Sequence, residues 1–129
     1  MEDGVHGIYI MNRRVLVVKK NEFWILPGGK SDFSEEKDED ILKREFREEL
    51  SGTEILVEKY YNTFEGITPH NKIPFKSKTY FCCPLHKVGK PSSEISEFKY
   101  INSKAFENLP ISEITKKTLV SLINDGYID

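Results

Sequence analysis

The sequence predicts an α+β fold in a single domain over residues 1–129, and three observations carry that prediction. β-rich runs fill the first 26 residues and return in two longer stretches, Ile55 to Phe64 and Lys76 to Leu85. Helical periodicity takes over between about Ser34 and Ser51, and again from Ser112 to Asp125. Eight Phe, six Tyr and one Trp in 129 residues suffice for a core that needs no disulfide or structural metal.

Each element has its own signal. Val5–Met11 and Arg14–Lys19 are β-rich runs separated by Asn12-Arg13, the pattern of a hairpin with a short turn. Lys20-Asn21-Glu22 reads as a turn, and Phe23–Leu26 as a short strand that Pro27-Gly28-Gly29 stops. In the first helix, expected over about 36–51, Leu42, Phe46 and Leu50 fall at i, i+4 and i+8 and form one apolar stripe. Ser34 or Asp38 is placed to cap its start, and Gly52 sits where a left-handed residue would end it. Gly66–Pro74 is the loop between the long strands, and polar Lys87–Ser96, with Gly89 and Pro91, is a surface loop. Phe98–Ile101 is a short strand, and Ser103 is expected to cap a brief helix ending before Pro110. The last helix, about 112–125, is expected to bury Ile114, Leu119, Leu122 and Ile123 and to close at Gly126.

Composition excludes several classes of partner. Lys and Arg number 19 against 21 Asp and Glu, a net charge of −2, so no overall basic field exists to hold duplex nucleic acid. The longest aliphatic run, Val15–Val18, falls far short of the ~20 residues that span a bilayer. Met-Glu-Asp-Gly begins the chain without an apolar stretch behind it, so no secretory signal is expected. Cys82 and Cys83 are neighbours in a strand run, where they point to opposite faces and stay reduced. The expectation is a cytoplasmic protein with a small-molecule partner and no membrane attachment; a homo-oligomer is left open.

Charge is unevenly spread. Residues 35–49 hold eight acids and four bases. Within them Glu45, Glu48 and Glu49 stand at i, i+3 and i+4 on one arc of the helix, beside the apolar stripe. Like charges so spaced destabilise a helix by roughly 0.2–0.5 kcal/mol per pair. Two readings are open on the trio alone: a solvated acidic face, or a seat for Mg²⁺ or Mn²⁺, hard cations that take oxygen ligands and complete their shell with water and phosphate. The upstream Pro27-Gly28-Gly29 favours the second, because a turn without Cβ atoms lets backbone groups approach a ligand.

The string from Gly29 through Glu36 to Arg44-Glu45-Phe46-Arg47-Glu48-Glu49 resembles the Nudix box, Gly-x5-Glu-x7-Arg-Glu-U-x-Glu-Glu-x-Gly-U, with U bulky and aliphatic. Two positions depart from it. The Gly-to-Glu spacing is six, an extra residue between Lys30 and Glu35, and the closing Gly-U is Ser51-Gly52. Counting five would select Glu35 and put Lys43 in the arginine position; Glu36 is preferred because it keeps seven residues before Arg44. The resemblance implies a Nudix-type α/β/α sandwich with a mixed sheet and a metal-dependent pyrophosphohydrolase acting on a nucleoside diphosphate derivative. It implies Glu48 and Glu49 as principal metal ligands, Glu45 as a further ligand or water-orienting base, and the Gly28 carbonyl completing the shell. Arg44 and Glu36 would be the ion pair that holds loop to helix, and Phe46 a core residue. Mg²⁺ is the implied cofactor, with Mn²⁺ as substitute.

Substrate recognition lies outside the box. Trp24, Phe64 and Tyr80 are candidate stacking residues, with Phe23, His70 and Phe75 beside them, and Glu97 and Glu94 are acids placed to serve the site from a later loop. Lys72, Lys76 and Lys78 follow the Gly66–Pro74 loop and are candidates to meet phosphates. Pro69 stands where the ADP-ribose-hydrolysing subgroup is similar. His6 and His86 receive no role from sequence. The alternative to a hydrolase is a sensor module of the same fold that holds a nucleotide without cleaving it.

Overall fold

A computed structural model describes residues 1–30 and 35–129. Its strands are β1 (Glu2–Ile8), β2 (Ile10–Met11), β3 (Arg14–Lys20), β4 (Phe23–Ile25), β5 (Gly28–Lys30), β6 (Ile55–Ile67), β7 (Pro74–Pro84) and β8 (Ile95–Ile101). Two helices, α1 (Asp38–Glu49) and α2 (Glu113–Asn124), and a 3₁₀ turn at Ser103–Ala105 complete it.

The strands form two four-stranded sheets. One is mixed, in the order β5-β1-β7-β6, with β1 and β7 parallel. In the other, β8 lies along one edge of β3, while β2 and β4 pair successive stretches of the opposite edge. The run expected as one strand over Val5–Met11 is therefore two: it breaks at Tyr9, and its halves serve different sheets. Asn12 and Arg13, at φ of 52° and 59°, make the turn between β2 and β3.

β3 is the hinge of the architecture. Val15, Leu16, Val17 and Val18 are all fully buried, because successive side chains feed opposite cores. Leu16 and Val18 join Ile41, Leu42, Phe46 and Leu50 of α1 and its C-cap. Val15 and Val17 join Trp24, Leu26 and, from α2, Leu119 and Leu122. The α1 stripe packs as expected.

Boundaries differ where local chemistry intervenes. Helix α1 runs over 38–49 rather than 36–51, and its N-cap, Lys37, makes no side-chain cap bond. Asp38, Glu39 and Asp40 in the first turn compensate through the helix dipole. Asp38 is not a cap; its carboxylate takes hydrogen bonds from Lys78 Nζ at 2.9 Å and Tyr80 OH at 2.5 Å. Ser34 lies outside the described residues. Gly28-Gly29 does not merely stop a strand but begins β5, paired antiparallel with β1. Asn102, not Ser103, caps the 3₁₀ turn by accepting from the Lys104 amide. In α2, Ser112 caps as its position suggests, and Thr115 and Thr118 are buried where Ile114 and Ile123 are only half-buried. Gly52 and Gly126 both adopt positive φ. Cys82 is buried and Cys83 exposed, and both are free.

Gly7 lets α1 dock. A Cβ there would lie 2.7 Å from Phe46 Cε1 and 2.9 Å from Cys82 Sγ. The Phe46 ring is fully buried and has no room to yield. Gly7→Ala should therefore destabilise the protein by about 1–3 kcal/mol, read as a lower urea midpoint at unchanged m-value.

Candidate active site

The sequence of α1 sets its rotation. Burying Leu42, Phe46 and Leu50 turns Glu45, Glu48 and Glu49 toward β5, and all three line a cavity of about 800 Å³ together with Gly28 and Gly29. Glu49 is 8% exposed, and its Oε1 is buried with no hydrogen-bond partner. Burial raises the proton affinity of Glu45 and raises that of Glu49 further. The two carboxyls bear on each other's proton affinity, and the Gly28 backbone and the Lys20 charge draw that of Glu49 partly back.

Gly29 makes this closeness feasible. A Cβ on it would sit 2.8 Å from the Glu45 carboxyl carbon. Gly28 has φ +147°, and a Cβ on it would lie 2.2 Å from the Val5 carbonyl oxygen. Only glycine fits at Gly28, and at Gly29 any Cβ would push the Glu45 carboxyl from its place.

Arg44 ties the assembly together. Its Nε and Nη2 donate to the two oxygens of Glu36 at 3.1 and 3.0 Å, a bidentate pair, while Nη1 donates to Glu45 at 2.9 Å. The pair is made by Glu36, with seven residues between it and Arg44. At the helix C-terminus the Ser92 hydroxyl donates to the Glu48 carbonyl, and the Ser92 amide donates to that of Glu49 at 2.9 Å. Both ends of the acidic face are thus held from outside the helix.

Among the described residues no three His, Cys, Asp or Glu side chains converge closely enough to enclose a cation by themselves. Glu45 and Glu49 approach each other, and Glu48 bears on Glu45 only through space. Spacing alone places all three on one arc, and Arg44 holds Glu45 within it at 2.9 Å. The donor set still fits a hard divalent cation. It consists of carboxylate oxygens on a rigid helix, one of them buried and unpartnered, opposite a backbone turn.

The remaining candidates divide. Phe75, Pro69, His70 and Glu94 line the cavity, and His70 stacks edge-on to Phe23 with ring centroids 5.6 Å apart. Trp24 does not line it; at 2% exposure it belongs to the α2 core, with Lys99 over its ring. Phe64 packs against Tyr61, and Tyr80 spends its hydroxyl on Asp38. Glu97 is exposed on β8 and faces Lys19 at 3.5 Å, whereas Glu94 pairs with Lys20 at the cavity. Lys72 and Lys76 are absent from the cavity wall, and Lys78 is held by Asp38. Sequence reasoning missed His6 and Lys20. His6 reaches the site because β1 pairs it with Gly28, a register that sequence spacing does not display. Its imidazole pKa is pushed down to about 4 by burial and by Lys20, so it is neutral near pH 7. His86 accepts from the Glu54 amide, away from the cavity.

No family model and no curated protein sequence matches the chain. Solved structures do. A protein from Chromobacterium violaceum assigned to the Nudix hydrolase family is 27% identical, with a TM-score of 0.73 over 96% of this chain and 77% of that one. The chain has the fold of the Nudix hydrolases. MutT protein from Methanosarcina mazei shares the Nudix fold at 15% identity, TM-score 0.78, covering 96% of this chain and 94% of that one. So does an ADP-ribose pyrophosphatase from Streptococcus suis, at 19% identity, TM-score 0.68, covering 95% and 87%.

Burying this carboxyl pair carries a cost in stability. A raised carboxyl pKa favours folding below the unfolded value of 4.5, and that contribution is lost as pH rises through the folded value. With metal chelated, Glu49→Gln should raise the melting temperature at pH 7–8 by about 3–6 °C, and the gain should shrink toward pH 5. Calorimetry across that range checks it.

Proposed function

We propose that the chain is a divalent-metal-dependent pyrophosphohydrolase that cleaves the diphosphate linkage of a nucleoside diphosphate joined to another group. The observation that supports it best is the Glu45–Glu49 pair, with its unpartnered buried oxygen, set against the glycine turn inside a large cavity. Glu48, Glu49, Glu45 and the Gly28 carbonyl are the groups that would hold the cation, Mg²⁺ with Mn²⁺ as substitute. When bound, it neutralises phosphoryl charge and lowers the pKa of a water. Glu45, whose proton affinity burial raises, is suited to accept a proton from an attacking water at a carboxylate oxygen. Glu94, on the cavity wall, is a better second candidate than Glu97. Arg44 and Glu36 position Glu45 rather than react.

The substrate is a small nucleotide of the nucleoside triphosphate, ADP-ribose or nucleotide-sugar type. On the same cavity wall, Ile67, Pro69, His70 and Ile114 offer a less polar surface for a ring. The described residues contain no helix long and apolar enough to cross a membrane. Two free thiols accord with a cytoplasmic setting, and we read the protein as acting there.

A screen of deoxynucleoside triphosphates, oxidised nucleotides, ADP-ribose, nucleotide sugars and dinucleoside polyphosphates with Mg²⁺, followed by chromatography, should detect a nucleoside monophosphate product. Glu48→Gln and Glu49→Gln should each cost about 10²- to 10³-fold or more in kcat/KM while the fold persists. Mg²⁺ should raise the melting temperature of the wild type and not that of Glu49→Gln. Tight nucleotide binding with no turnover under any metal would instead establish the sensor reading.

A further inference from the structure

His6 and His70 both line the cavity, and the surroundings of His6 dictate which of its ring nitrogens carries the proton. Nδ1 lies 2.6 Å from Ser77 Oγ. Ser77 is fully buried, and His6 is the hydrogen-bond partner of its hydroxyl among the described residues. Were Nδ1 the donor, the Ser77 proton would be stranded in a dry interior, at a cost of about 1–3 kcal/mol. The satisfied arrangement has Ser77 donating to Nδ1, which leaves the imidazole proton on Nε2. Nε2 has no protein partner among the described residues and is not sealed from solvent, and the ring lines the cavity.

Lys30, Lys20 and His6 are three of the side-chain donors that line this cavity. Lys30, next to Gly29, pairs with Glu2 at 2.7 Å. Lys20, whose charge acts on both His6 and Glu49, pairs with Glu94 at 2.9 Å. His6, opposite Gly28, is the third, and its Nε2–H is unspent. Ionised carboxylates around it repel an anionic oxygen, so one drawn into this cavity needs a donor.

We propose that the His6 Nε2–H donates a hydrogen bond to a phosphoryl oxygen of the bound diphosphate, with Ser77 holding the ring in the tautomer that does so. This deepens the hydrolase reading and takes the ligand's class from it. His6 is then a substrate-binding residue that grips the diphosphate beside the glycine turn, with no net charge to compete for the carboxylates.

The test uses the whole protein, Mg²⁺ and methylenediphosphonate, a sugar-free diphosphate that cannot be hydrolysed. Long-range ¹H–¹⁵N NMR should find the proton on Nε2, and its resonance should move when the diphosphonate is added. By titration calorimetry His6→Ala should bind it about 10- to 100-fold more weakly. His6→Gln, which keeps an N–H near the Nε2 position, should stay within about threefold of wild type. Ser77→Ala should mix the tautomers and weaken binding by a smaller factor than His6→Ala. If His6→Ala fails to fold, the NMR result and the other two variants decide the matter.

A proton on Nδ1, unchanged affinity in His6→Ala, or a resonance that answers to adenosine and not to the diphosphonate would each overturn the proposal. A protein that grips the diphosphonate through His6 yet hydrolyses no nucleotide would overturn the hydrolase reading and leave this one standing. A hydrolase indifferent to His6→Ala would do the reverse.

Discussion

One constraint governs the rest: helix α1 must bury an apolar stripe and a carboxyl pair in the same rotation. Leu42, Phe46 and Leu50 have no exposure, and Glu49 has almost none. Burying those three large side chains contributes on the order of 5–8 kcal/mol, against a few tenths for each repulsive glutamate pair and a desolvation cost for Glu49. The hydrophobic term wins, so the helix docks and the carboxylates are carried into position whether or not their own electrostatics favour it. Core packing thereby holds acids in a place they would not choose, where an unpartnered oxygen is available to a ligand.

Such an arrangement needs support from groups that do not react. Arg44 spans Glu36 and Glu45, so the segment preceding α1 and the acidic face share one guanidinium. Its rigid fork matches both Glu36 oxygens and still spares an N–H, which a lysine could not reproduce. Ser92 does comparable work at the other end through the last carbonyls of the helix. Gly7, Gly28 and Gly29 contribute by what they lack. Each clears space into which a backbone or an acid moves.

How much of this is legible in the sequence depends on the range of the interaction. The α1 stripe, the β2–β3 turn at Asn12-Arg13 and the Ser112 cap are local, and spacing reveals them. The choice of Glu36 over Glu35 also follows from counting, because a guanidinium and a carboxylate meet only where loop length permits. Trp24 misleads for a different reason: an indole suits a nucleobase and a core equally well, and the α2 core claimed it. Tyr80 and Lys78 look free until the fold sets Asp38 beside them. The split of the first strand at Tyr9 depends on which sheet each half can join, and no local signal marks it. His6 is the clearest omission. A histidine between Val5 and Gly7 resembles any strand residue, and its place opposite Gly28 arises only when β1 and β5 pair.

Strand pairing also explains why the site is asymmetric. β1 lies between β5 and β7, so residues that point one way from it can touch both the glycine turn and Ser77. The α1 acids and the His6 and Lys20 donors thus come to one cavity from different elements. An anion entering it meets repulsion from the acids and unspent hydrogen-bonding capacity at His6. A cation seated on the helix side reverses the first effect without altering the second. The string that resembles the Nudix box supplies only the helix and the turn; under the proposed reading, the grip on a diphosphate rests on other residues of the cavity, His6 and Lys20 among them, which differ in kind from the acids.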